Sequence, residues 1–315
     1  MSKKKIPSII KEIKQHTPRQ VNYAGGEKTI SFSQMQMYSE CPRKWALHYR
    51  EGLYPSSFSI YLIFGTAIHE VLQHYLTVFY EEGGTKADEL DLETMFQEKF
   101  SNLYRKDYEA NNRQHYSSPT EMGEFFEDAI EILNFVKKKR GEYFSKRGWY
   151  LVGCEVPIVI LPNKVYRNVI YKGFLDLVLY HEPTNEFHIY DIKTSTRSWS
   201  DREKKNEVKI SQLILYKEFF AQQFNIPVDS IKVEYFIVKR KLYEESEFAQ
   251  KRVQQFVPAS GKIKLTKART LLNNFIEECF NPDGSYKTVE HNPNPGKQCE
   301  WCPFSKNKDL CPSGA

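Results

Sequence analysis

No run of about 18 consecutive apolar residues occurs in the 315-residue chain, which excludes a transmembrane helix. The opening MSKKKIPSIIKEIKQ is basic, but it lacks a long apolar region and a small-residue cleavage site, so it does not read as a signal peptide. An intracellular location and no membrane association are expected, and structural disulfides are rare in that setting. The chain has no internal repeat and no low-complexity tract, and its length suits one large domain or two smaller ones. Disorder is excluded by what is present: aromatic residues make up 14%, with 20 Tyr and 21 Phe. The net charge of +5 permits nucleic-acid binding without arguing for it. With disulfides set aside, the six cysteines point to metal ligation or plain burial.

Residues 1–28 are polar and are expected to form a flexible segment ahead of a single domain over 29–315. Ser33 is suited to cap a helix running to about Ser39, and Pro42 to restart one that carries Trp45, Leu47 and Tyr49. TAIHEVLQHYLTVFY places Ile68, Val71, Leu72, Tyr75, Leu76 and Phe79 at helical spacing, and EEGGT ends it. Two or three amphipathic helices follow in an insertion over about 83–147. From Trp149 the pattern turns to strands: WYLVGCEVPIVI, VIYKGFLDLVLY, EFHIYDIKTS and, after the amphipathic VKISQLILYKEFFAQQF, IKVEYFIVKR. A further helix near Leu271–Phe275 precedes a Cys-bearing tail at about 290–315. The order predicts an α/β core, over about 149–240, with a helical insertion in front of it.

The segment KGFLDLVLYHEPTNEFHIYDIKTS carries the chemistry. If its hairpin centres on Pro183 and Thr184, paired positions sum to 367, and Asp176 then stands opposite Asp191. Two carboxylates so placed repel unless a cation lies between them. A hard divalent ion suits their oxygens, and Lys193, two residues on from Asp191, shares its face. Such an ion activates water and, with Lys193, stabilises a phosphoryl transition state. The competing reading leaves both carboxylates at strand ends in solvent. His69 lies at the boundary of its helix's buried face, where a ligand would sit, though a locally hydrogen-bonded histidine sits there equally well. Gln212 and Tyr216 share one helix face. Glu155, on the preceding strand, reads as a surface carboxylate, with a part in the metal site as the alternative.

In the tail, CEWCPFSKNKDLCP brings Cys299, Cys302 and Cys311 within reach of one centre, without a fourth ligand of its own. His291 is one candidate for the fourth position. Cys154 and Cys279 read as core thiols. Basic clusters occur at Lys137–Arg140, Lys204–Lys205, Lys251–Arg252 and Lys239–Lys241; Lys239, Arg240 and Lys241, ending a core strand, are the expected phosphate contacts. Trp199 suits either base stacking or the core.

GTAIHEVL, GFLDLVLY, YDIKTS and QLILY, in this order from about Ser31 to the tail, resemble the RecB-like nucleases of the PD-(D/E)XK superfamily, in particular the iron–sulfur members: the CRISPR-associated RecB-like exonucleases and the AddB nuclease domain. The resemblance implies a restriction-endonuclease-like fold, a mixed central sheet flanked by helices, with the cysteine tail packing on the N-terminal helix. It implies His69, Asp176, Asp191 and the Ile192 carbonyl as ligands of Mg²⁺ or Mn²⁺, Lys193 as the catalytic lysine, and Gln212 and Tyr216 in support. It also implies Cys41 as the fourth ligand beside Cys299, Cys302 and Cys311, holding a [4Fe–4S] cluster, with zinc as the alternative. The gap from Cys302 to Cys311 is longer than in those relatives. The expected activity is DNA cleavage from ends or single strands, with helicase or recombination proteins as partners. A non-catalytic DNA-binding scaffold, an endonuclease and a nuclease acting on RNA are the rival readings.

Overall fold

Strands buried on both faces read as nearly continuous apolar runs, and four such runs here assemble into one mixed sheet. The computed structural model describes residues 6–54 and 58–313. In chain order the elements are α1 (Ser8–Gln15), β1 (Lys28–Ile30), α2 (Phe32–Glu40), α3 (Pro42–Trp45), α4 (Ile60–Glu81), α5 (Gly84–Asp88), α6 (Leu92–Ala110), α7 (Pro119–Tyr143), β2 (Trp149–Ile160), β3 (Val169–His181), β4 (Glu186–Ser195), α8 (Asp201–Lys204), α9 (Glu207–Phe224), β5 (Ile231–Lys239), β6 (Val253–Phe256) and α10 (Lys262–Cys279). The sheet runs β1-β3-β4-β5-β6, with β2 on the other edge of β3. β1 and β3 are parallel, as are β4 and β5, and the remaining pairs are antiparallel.

Each face of the sheet carries its own core. On one, Val233, Tyr235 and Ile237 of β5 meet Leu213, Tyr216 and Phe220 of α9 and Phe275 of α10. On the other, Phe236 and Val238 of the same strand meet Ile68 and Leu72 of α4 and Phe125 and Leu133 of α7. The insertion over 83–147 therefore roofs one face of the sheet instead of forming a separate body. Among the described residues no helix is long and apolar enough to cross a membrane.

The β3–β4 hairpin has the register expected from its sequence: Leu177 faces Tyr190 and His181 faces Glu186, both pairs summing to 367. Its turn is a single 3₁₀ turn at Glu182–Thr184 closed by Asn185 in the left-handed conformation, φ 53°, which asparagine tolerates better than most residues. The ladder stops at Leu177. β1 occupies the same edge of β3 only as far as Tyr171. Residues 172–176 are thus unpaired on that edge, and the sheet has a gap there.

Three expectations need correction. Residues 1–28 are not uniformly loose: α1 buries Ile10 completely and Ile13 almost so. Two buried isoleucines three apart, with Ile9 packed beside them, dock this short helix although its other residues are polar. The cap of α2 is Ser31, whose hydroxyl accepts from Gln34 N–H, instead of Ser33. α10 is 18 residues long, extending well before Leu271.

Candidate active site

Asp176 stands at the lip of the gap with a carboxylate on either side. β2 pairs Cys154 with Leu177 and Val156 with Leu175, which sets Glu155 level with Asp176. β4 sets Asp191 level with it on the other side by the hairpin register. Neither ladder pairs Asp176 itself. Its side chain takes over where the backbone stops: Asp176 Oδ2 accepts the Ile192 N–H at 2.7 Å. Burial, reinforced by the charge of Asp191, pushes the Asp176 carboxyl well above the usual carboxylate range.

Strand alternation is broken at this level. Leu175 belongs to the α9-side core and Leu177 to the α4-side core, so Asp176 and Leu177 both turn toward α4. Glu155 has φ 50°, a left-handed conformation rare for a non-glycine residue in a strand. α4 supplies the facing side chains. His69 Nδ1 is 3.7 Å from Asp176 Oδ2, and His69, Glu155 and Asp176 each offer a ligand atom within 4.8 Å of the others. Burial lowers the His69 pKa against the pull of Asp191, which favours the neutral, metal-ligating imidazole. The approach of α4 depends on Gly65: a Cβ there would meet Thr194 Oγ1 of β4 at 3.0 Å.

β4 keeps its alternation. Tyr190 and Ile192 face α4, so Asp191 and Lys193 lie on the opposite face. Lys193 Nζ is 2.8 Å from Asp191 Oδ2, and Asp191 is only 2% exposed. Burial alone would lower the Lys193 pKa, but Asp191 and Asp176 outweigh it and raise it, keeping the ammonium charged. Gln212 Nε2 reaches Tyr216 Oη at 3.5 Å. The Tyr216 ring lies against Gly173 of β3, where a Cβ would meet its ring carbon at 3.1 Å. His69, Glu155 and Asp176 therefore form a hard donor set suited to a divalent cation on the α4 side of the gap, and the Asp191–Lys193 pair lies beside it.

A model of the PD-(D/E)XK nuclease superfamily matches residues 29–312. The chain belongs to that superfamily. As a PD-(D/E)XK protein it is a metal-dependent nuclease acting on nucleic acid. Two solved structures are distantly similar. A protein of Eubacterium rectale described as a "putative exonuclease" is 13% identical with a TM-score of 0.49, over 90% of this chain and 92% of that one. A protein called SSO0001 is 14% identical with a TM-score of 0.40, over 98% of this chain and 95% of that one. No curated protein matches.

Away from the gap of this PD-(D/E)XK chain, Cys41, Cys299, Cys302 and Cys311 line one small pocket. Asn294 N–H points at Cys41 Sγ at 3.4 Å, and Arg43 Nε donates to the Leu310 carbonyl at 2.8 Å, so the tail is laid against α3. Burial, with Cys41 and Cys302 close by, raises the Cys311 thiol. His291 does not line this pocket; its ring packs on Trp45 and Tyr38. Cys279 is fully buried in the core.

Other sequence candidates are placed differently. Arg240, 9% exposed, donates to Asp128 at 2.8 Å and lies over Phe125. Lys241 also reaches Asp128, at 3.1 Å. Lys239 is half-buried at the strand end. Trp199 is a core residue packed on Tyr235 beneath Lys209. Glu155 is exposed, as a surface carboxylate would be, and also lies beside His69 and Asp176.

Proposed function

We propose that the protein is a Mg²⁺- or Mn²⁺-dependent deoxyribonuclease that degrades DNA from ends or single strands. The observation that carries this reading is the His69–Asp176 pair beside the Asp191–Lys193 pair at a gap in the sheet. His69, Asp176, Asp191 and the Ile192 carbonyl would hold the cation, which supplies Lewis-acid charge and an activated water. Lys193, fixed by Asp191, brings a positive charge to the phosphate and orients the attacking water. Tyr216 and Gln212 pack behind β3 and β4 and hold the two strands at their separation. Lys239 and Lys241 meet DNA phosphates, with Arg240 anchored behind them, so binding weakens as salt rises. The test is digestion of end-labelled and circular DNA, single- and double-stranded, with Mg²⁺, Mn²⁺ or EDTA. Cleavage confined to ended or single-stranded DNA and abolished by EDTA is expected. Equal cleavage of covalently closed duplex, or cleavage of RNA alone, overturns the exonuclease reading.

The four-thiol pocket is proposed to hold a [4Fe–4S] cluster that staples α3 to the tail; phosphodiester hydrolysis needs no redox step. Four sulfur donors and no imidazole suit such a cluster and also suit zinc. Protein purified without oxygen is expected to contain iron and acid-labile sulfide, and Cys41→Ser to lose both while the sheet stays folded. Stoichiometric zinc without sulfide refutes the cluster.

A further inference from the structure

We propose that Glu155 is a further ligand of the catalytic cation, aimed by Gln73. This rests on the metal-dependent reading above and adds to it a residue of the neighbouring strand β2. Three observations lead to it. One oxygen of Glu155, one of Asp176 and a ring nitrogen of His69 lie within 4.8 Å of one another, close enough for one cation to touch all three. Counted back from Val156, Ile158 and Ile160 in the α9-side core, strand alternation puts Glu155 on the α4 face, and its φ of 50° marks the irregularity that leaves Cys154 on that face as well.

The third observation is Gln73, itself buried. Its Nε2 donates to Glu155 Oε1 at 2.6 Å and to the Asp176 carbonyl at 3.0 Å. Glu155 is exposed, yet this amide fixes one of its oxygens beside a second carboxylate, and being neutral it leaves the negative charge of Glu155 uncancelled. Gln73 lies four residues after His69, so one face of α4 carries both a ligand and the group that positions another.

The experiment is Mn²⁺ titration by calorimetry of the full chain, comparing the wild type with Glu155→Gln and Asp191→Asn prepared identically, so that binding elsewhere cancels. Glutamine keeps the size of the side chain and an oxygen for Gln73, and unchanged melting in EDTA confirms the fold. Glu155→Gln is expected to weaken Mn²⁺ binding at least tenfold. If it binds within threefold of the wild type while Asp191→Asn has lost binding, Glu155 is not a ligand and the metal reading stands. If the wild type shows no saturable binding, both fall.

Discussion

Asp191→Asn is expected to lower cleavage at least a thousandfold, about 4 kcal/mol of transition-state stabilisation, while the protein stays folded and melts slightly higher in EDTA. The second half of this expectation is the diagnostic one. Glu155, Asp176 and Asp191 stand level on three adjacent strands, and Lys193 is the cation fixed among them. Without metal, the folded state carries their mutual repulsion. Neutralising Asp191 relieves it, and asparagine still offers Lys193 an oxygen. Lys193→Ala lowers cleavage on the order of 10²- to 10³-fold, but it should melt lower in EDTA, since the carboxylates lose their counter-charge. Mg²⁺ should restore part of that loss. Opposite shifts in melting, with cleavage lost in both variants, separate a built metal site from a general weakening of the fold. Wild-type cleavage by well-folded Asp191→Asn protein would sink the assignment.

Asp128→Ala is expected to cost about 3–5 kcal/mol of stability, the usual result of removing one partner from a buried ion pair. Arg240 and Asp128 are 9% and 6% exposed, and Lys241 shares the same carboxylate. The pair joins the end of β5 to the middle of α7, with the guanidinium lying on Phe125. Alanine leaves that charge buried and unpaired. Arg240→Met, which fills the space over Phe125 and leaves Asp128 to Lys241, should cost much less. Urea denaturation with unchanged slope checks both. Similar losses for the two variants would show that shape at this joint matters more than charge.

The sequence carried the hairpin register because both flanking runs are apolar and the turn is short. Symmetry about Pro183 and Thr184 therefore placed Asp176 level with Asp191. Helical spacing puts Gln212 and Tyr216 on one face and His69 at the edge of a buried face, while Cys41 enters only through the family resemblance, since the tail alone leaves His291 as another candidate. For Glu155 the sequence left a surface place and a place beside the metal site both open, because an exposed carboxylate at the edge of a site has the same pattern in either case. The slip at Asp176 and Leu177 was hidden for a related reason: in a strand apolar on both sides, moving one residue across the sheet does not change the pattern. Arg240 was misjudged from its basic neighbours, since its partner Asp128 lies 112 positions away, in the insertion. Patterning cannot pair residues at that distance.

The pocket joining Cys41 to Cys299, Cys302 and Cys311 also bears on how the molecule is made. The span it closes covers 258 residues (299 minus 41), nearly the whole chain. Any bond across it excludes a large share of the unfolded ensemble, by the loop-closure estimate about 6 kcal/mol. During synthesis from the N-terminus, α3 and the sheet can form while Cys311 is still inside the ribosome. Cys299, Cys302 and Cys311 follow the whole sheet and α10 in the chain, so the pocket closes only after both have been synthesised. A truncated product ending before Cys299 would keep every residue at the sheet gap and lack this seal. Its predicted fate is a nuclease-competent core that unfolds faster than the full-length protein, which pulse proteolysis of the two forms would measure.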